Sequence, residues 1–241
     1  MKEVLSGIYF IRGIDEAMPD SHTYLVGMPD SGDLTLIDPG LMHKGEYKLS
    51  EIKRAGIELG NIKRIILTHT HFDHIGALPE IRKELPEAEV WIHRAEAEPL
   101  SRGDERHVYG MEMFKSICQR HYGIADGHFK LEITRELSGN ESITLGGRTW
   151  NVLHIPGHST GSIGLYNEED GILISGDVIY SDYAIGRFDL YGADPRKLRK
   201  SLEKLSTLKV KILLPGHNEI ATALSDNYIM DTLRYWDREL R

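Results

Sequence analysis

Apolar residues recur along this chain in short runs parted by polar, glycine-bearing segments, a pattern of alternating strands and helices. Ile8 to Arg12, Thr23 to Met28 and Leu34 to Ile37 read as strands; the loop Asp30-Ser31-Gly32-Asp33 falls between the last two, so the first third predicts a β-meander. The period then lengthens. Leu41 to Ala55 reads as a helix stopped by Gly56, and Ala77 to Leu85 as another, with Pro79 in its first turn and Pro86 at its end. Between them Arg64-Ile65-Ile66-Leu67-Thr68 has the β-branched composition of a buried strand, and Val90 to Ile92 repeats it. Val108 to Tyr122, ending at Gly123, predicts a helix with Phe114, Ile117, Cys118 and His121 on one face.

Further along, Ser142 to Leu145 and Trp150 to Ile155 read as strands. Ser162 to Tyr166 and Ile172 to Ser175 form a hairpin around the segment from Asn167 to Gly171. Asp194 and Pro195 stand in N-cap and N1 order before a helix running to Leu205. Lys209 to Leu214 returns as a strand, and Ser225 to Leu240 closes as a helix. The elements make a mixed α/β chain without sequence repeats. The runs Ile65 to His69 and Lys211 to His217 nevertheless play matching parts, as in a pseudo-two-fold architecture.

Composition narrows the function. With 241 residues and 40% hydrophobic content, a single domain over residues 1–241 is expected, with a helical insertion around 94–140. Aromatic residues and methionines in that insertion read first as core packing. They also suit a pocket roof or a contact with a second copy, so a homodimer is a candidate assembly. A formal charge of −8, from 29 basic and 37 acidic residues, offers no footprint for nucleic acid and leaves a small molecule as the expected substrate. Cys118 is the single cysteine, which excludes an intramolecular disulfide and favours a reducing cytoplasm. The N-terminal residues lack the apolar stretch of a secretion signal, and no run is long enough to span a membrane, so a protein without membrane association is expected.

The chemistry concentrates at Thr68-His69-Thr70-His71-Phe72-Asp73-His74-Ile75-Gly76, where four metal-capable side chains follow a strand-like run. Alternation along an extended backbone puts His69 and His71 on one side, within reach of one ion, while Asp73 and His74 come round the turn toward a second. Three further donors stand at the C-terminal ends of apolar runs, each directly after a glycine: His158, Asp177 and His217. Five histidines and two aspartates exceed the needs of one four-coordinate zinc and argue for two ions sharing a carboxylate. Of the remaining histidines, His43, His107, His121, His128 and His154 have no partners at metal spacing and read as structural or solvent-facing, while His22 is placed to donate a hydrogen bond near the pocket and His93 ends a strand much as His69 does.

His69, His71, Asp73 and His74 form an H-x-H-x-D-H signature. Pro156-Gly157-His158-Ser159, Ser175-Gly176-Asp177 and Pro215-Gly216-His217 follow in order, with Leu36-Ile37-Asp38-Pro39-Gly40 upstream. This series resembles the metallo-β-lactamase superfamily of hydrolases. The resemblance implies a four-layer αββα sandwich. It also implies one ion held by His69, His71 and His158 and a second by Asp73, His74 and His217, with Asp177 bridging. Two divalent metals are then expected, zinc first, with iron or manganese as alternatives, and a bridging hydroxide attacks an ester-type carbonyl while Asp73 orients it. Gly176-Asp177 and the later Ile185-Gly186-Arg187-Phe188-Asp189-Leu190 look like the glyoxalase II branch, whose substrate is a thioester. Tyr180, three residues after Asp177, stands where lactonases of the superfamily carry a tyrosine that contacts the substrate carbonyl. A thioester or lactone hydrolase is therefore expected. An iron-dependent redox enzyme of the sulfur dioxygenase kind is the alternative, as are phosphodiesterase or β-lactamase side activities.

Overall fold

A computed structural model describes residues 1–241. The chain folds as two compact units, Met1–Glu136 with Leu145–Gly147 and Leu137–Thr144 with Arg148–Arg241.

The first unit is built on a seven-stranded sheet in sequence order: β1 (Lys2–Leu5), β2 (Ile8–Ile11), β3 (Thr23–Val26), β4 (Leu34–Ile37), β5 (Ile62–Ile66), β6 (Glu89–His93) and β7 (Arg135–Leu137). The first four strands pair antiparallel as the expected meander, and β4, β5 and β6 then run parallel, with Leu36 opposite Ile65 and Ile65 opposite Val90. Parallel neighbours need crossovers. They are α1 (Gly45–Arg54) between β4 and β5, and α2 (Phe72–Ile75) with α3 (Leu78–Glu84) between β5 and β6. Every residue of β3 and β4 is buried, and one apolar core joins Leu25, Leu36, Ile52, Ile65, Ile75 and Ile81. Three helices precede β7: α4 (Arg94–Ser101), α5 (Arg106–Tyr109) and α6 (Glu112–Tyr122).

The second unit is built on a five-stranded sheet whose spatial order is β12-β11-β10-β9-β8, from β8 (Ser142–Leu145), β9 (Arg148–His154), β10 (Ile163–Asn167), β11 (Ile172–Gly176) and β12 (Ile212–Pro215). Strands β9, β10 and β11 are antiparallel, and β11 pairs parallel with β12 through the crossover α7 (Pro195–Leu205). Asp194 caps α7 as its sequence requires, accepting from the N–H groups of Arg196 at 2.9 Å and Lys197 at 3.1 Å. The last helix, α8 (Tyr228–Trp236), packs on α7, and Leu198, Leu202, Leu213, Ile229 and Leu233 share a core with Ile179.

Several boundaries differ from the sequence pattern for local reasons. The helix read from Leu41 starts at Gly45, because His43 takes a left-handed φ of 68° and the N–H groups of His43 and Gly45 are captured by the Glu80 carboxylate. The helix read from Val108 to Tyr122 is broken at Gly110, whose φ of 71° ends α5 and lets α6 begin on a new axis. The closing helix shrinks to Tyr228–Trp236. Strands β1 and β7 and helix α4 carry too little apolar periodicity to be read beforehand. No helix is long and apolar enough to cross a membrane.

Candidate metal centre

The first unit contributes four donors from the end of β5. Leu67 keeps the sheet one residue longer by donating to Trp91 O at 3.0 Å, and the chain then turns directly into the one-turn helix α2. Asp73 and His74 thus stand on that helix, where the sequence pattern placed a loop before a helix beginning near Ala77. His69, His71 and His74 are buried and Asp73 is half-buried. Their rings lie together: His69 is 4.7 Å from His71 and 4.0 Å from His74, centre to centre.

Asp38 organises this cluster. It holds a left-handed φ of 54° at the end of β4, donates its N–H to Ile66 O at 3.0 Å, and spends its carboxylate on the ligand segment. Oδ1 accepts Thr68 N–H at 2.8 Å; Oδ2 accepts Thr68 Oγ1 at 2.6 Å and faces His74 Nδ1 at 2.9 Å. The Thr68 hydroxyl has one proton, already given to Asp38, so at 3.1 Å from His69 Nδ1 it accepts from that nitrogen. Both rings consequently carry hydrogen on Nδ1 and keep the Nε2 lone pair for another partner. Thr70, between His69 and His71, is fixed through its hydroxyl to the buried Glu96 of α4 at 2.8 Å.

The second unit brings its three donors from three strand ends. Asp177 and His217 directly follow the segments carrying β11 and β12, and His158 follows β9 after Ile155-Pro156-Gly157. Asp177 Oδ2 lies 3.8 Å from His158 Nε2 and 3.4 Å from His217 Nε2. His158 Nδ1 lies 2.7 Å from the carbonyl of Arg187; a carbonyl only accepts, so this ring too has hydrogen on Nδ1 and its lone pair on Nε2. The Arg187 carbonyl arrives because the chain after Asp177 doubles back, pairing Ile179 with Ile185. Gly186 makes that approach feasible: a Cβ there would stand 1.8 Å from Asp177 O and 2.7 Å from His158 Nδ1. Tyr180, at the start of this doubled segment, is buried, with its ring centre 6.4 Å from that of His217.

These donors fit divalent metal ions. They are imidazoles and carboxylates with no thiolate, a set that serves zinc, iron and manganese alike. The buried Nε2 atoms of His71 and His74 and Oδ1 of Asp177 take part in no hydrogen bond within the protein, as atoms reserved for a cation would. Cys118 is not among the donors. It is buried against Met18 Sδ at 3.8 Å, and burial, with the charge of Asp73 adding, pushes its thiol up to about 11.

Three of the other histidines hold backbone groups of the fold. His22 Nδ1 accepts Gly13 N–H at 3.0 Å, His93 caps α4 by accepting from Ala95 N–H at 3.2 Å, and His154 Nε2 lies 3.0 Å from Thr160 O. The insertion divides by face: Tyr109 and Phe129 are buried around Phe72, while Met113 and Ile117 are exposed. Asp38 stood in the sequence as a motif residue without a task. The Arg187 carbonyl had no signal there as a brace, since a backbone acceptor has none, and the contacts of Glu96 and Gly186 join segments distant in sequence.

Residues 19–217 match the family described as the metallo-beta-lactamase superfamily. A probable metallo-hydrolase of Bacillus subtilis, YqgX, is 33% identical over 206 residues, covering 81% of this chain and 85% of that protein. The human acyl-coenzyme A thioesterase MBLAC2 is 29% identical over 239 residues, covering 93% of this chain and 78% of that protein. Among solved structures, TTHA1623 in a di-iron-bound form superposes with a TM-score of 0.67 at 30% identity, covering 91% of this chain and 96% of its own.

Proposed function

The chain belongs to the metallo-beta-lactamase superfamily, and from that premise we propose that it is a dinuclear metallo-hydrolase of ester-type carbonyls, with thioesters as its main substrates and lactones second. That it is a metal-dependent hydrolase follows from the family and from its named relatives. The finer reading is supported above all by the three imidazoles whose Nδ1 atoms are each engaged by an acceptor of their own unit, which presets Nε2 as the ligating atom.

In this reading His69, His71 and His158 would hold one ion and Asp73, His74 and His217 the other, with Asp177 as the proposed shared ligand. Zinc is the proposed metal; iron is the alternative, as in the di-iron relative. When bound, such a pair supplies an acidified water and a Lewis acid for the carbonyl. The protein's own groups do the rest. Asp73 accepts a hydrogen bond from the attacking water and aims it. Tyr180 donates its phenolic proton in a hydrogen bond to the carbonyl oxygen as charge develops there. Asp38, Thr68 and the Arg187 carbonyl keep the ligand rings from turning. No serine or cysteine nucleophile is required, in keeping with a Cys118 thiol that stays protonated.

Thioesters rank first because the acyl-coenzyme A thioesterase likeness spans 93% of the chain. Lactones rank second because of Tyr180 alone. Metal analysis of the purified protein, followed by rates on acyl-coenzyme A and glutathione thioesters, lactones, a phosphodiester and a β-lactam, tests the proposal. The expected result is close to two ions per chain and the highest kcat/KM on a thioester. A preference for the phosphodiester or β-lactam, or oxygen consumption with an iron-loaded protein, would overturn it.

A further inference from the structure

The segment after Asp177 is held in an unusual way. Tyr180 N–H donates to Ala184 O at 3.1 Å, closing a tight turn, and within it Tyr183 adopts a φ of 61°, a left-handed conformation that a bulky aromatic residue rarely takes. Such a residue persists only where its surroundings over-determine it, and here α8 does so. The buried hydroxyl of Tyr228 donates to Tyr180 O at 2.8 Å and accepts Tyr183 N–H at 2.6 Å, using its one proton and one lone pair on the two ends of the turn. Trp236, two helical turns on, donates Nε1–H to Tyr183 O at 2.8 Å, and the Tyr183 ring lies against that of Tyr228 at 4.6 Å. The other side of the turn is tied to the chain leaving His217: Ser181 Oγ donates to Glu219 O at 2.6 Å, and Asn218 Nδ2 donates to Asp182 Oδ2 at 3.0 Å. Asn218 is itself left-handed, with a φ of 65°.

We propose that Tyr228 is a positioning residue of the hydrolytic site: its hydroxyl fixes the Tyr180–Ala184 turn, and through it the placement of the Tyr180 phenol beside His217. The inference rests on the role given to Tyr180 above. Tyr180 reaches the reaction only through its side chain, and the Tyr228 hydroxyl grips the carbonyl of that same residue together with the Tyr183 N–H of the turn it opens. Strain at Tyr183 would otherwise relax by flipping the turn, carrying Tyr180 with it. The last helix thereby acts on a residue three places beyond Asp177, more than forty positions back in the chain, without touching substrate or metal.

Tyr228→Phe removes the hydroxyl and keeps the ring. The expected result is a fall in kcat of about tenfold with KM and metal content unchanged. Joined to Tyr180→Phe, the same change should add less than about twofold, because a residue acting through Tyr180 has nothing further to lose. Independently of activity, amide exchange at Tyr183 should quicken by about tenfold or more while α7 and the rest of α8 keep their protection. Multiplicative losses in the double variant, or a parent rate for Tyr228→Phe, would overturn the proposal. A silent Tyr180→Phe would sink the role of Tyr180 and the positioning with it. If no substrate is turned over at all, the function reading falls, and unaltered Tyr183 exchange decides separately against the clasp. Should Tyr228→Phe fail to fold, Trp236→Phe, which releases only the Tyr183 carbonyl, carries the same measurements with a smaller expected change of the same sign.

Discussion

The two halves of the donor set are made differently. In the first unit four donors occupy His69 to His74, a span of six residues, on one strand end and one short helix. A single carboxylate, Asp38, braces His74 directly, His69 through the Thr68 hydroxyl, and the Thr68 N–H that precedes both rings. In the second unit three donors come from three strand ends scattered between His158 and His217. What braces them is backbone: the Arg187 carbonyl, the close approach of Gly186, and the turn pinned by Tyr228. The first half is a local motif stiffened by one side chain. The second is a set of loop donors gathered from the ends of one sheet. Mutations should therefore act sharply and singly in the first unit, and through loop geometry in the second.

Removing one proposed ligand from each half is expected to give the largest effect. Asp177→Ala is expected to lose the second ion or both, and His71→Ala to abolish hydrolysis, each with the far-UV circular dichroism of the parent. Full metal occupancy and activity in Asp177→Ala would refute the ligand assignment, and an unfolded His71→Ala would make that histidine structural.

Next comes Tyr180→Phe, which leaves packing and metal content intact. Loss of an oxyanion donor should lower kcat and kcat/KM together by about 10²-fold, less where water substitutes. Asp38→Asn probes the first unit's brace while keeping a residue type that tolerates left-handed φ. Weakening the hold on His74 Nδ1 should cost about 10- to 100-fold in metal affinity or rate. Titration with a metal-competing chelator would read it, and an unchanged affinity would mean that the ring is oriented by packing alone.

The smallest change, Gly186→Ala, probes the second unit. One added methyl, placed against Asp177 O and His158 Nδ1, should destabilise the protein by about 1–3 kcal/mol in a urea titration, as overpacking does. Metal affinity should fall in parallel, since the methyl displaces two proposed ligands at once. Loss of stability with unaltered metal affinity would show that the second half tolerates loop movement.

The sequence by itself determined the β-meander, the strands read at 64–68 and 90–92, which fold at Ile62–Ile66 and Glu89–His93, and the capped helix from Pro195. It also singled out the candidate metal donors, because apolar period, capping order and donor spacing are local properties written in consecutive residues. The family's ordered motifs carried that reading as far as a metallo-hydrolase. The tertiary structure decided what depends on residues distant in sequence meeting in space. Asp38 became the brace of His74 because β4 lies beside β5, a parallel pairing that puts their C-terminal ends side by side. Lys48, on the inward face of α1, is buried because Asp20 and Ser21 O, far earlier in the chain, receive its charge at 3.0 and 2.7 Å. The break at Gly110 and the strained Tyr183 were decided in the same way. A glycine or an aromatic residue in sequence does not say which backbone conformation its neighbours will enforce, and only the packed helix and the hydrogen bonds it offers make one conformation win.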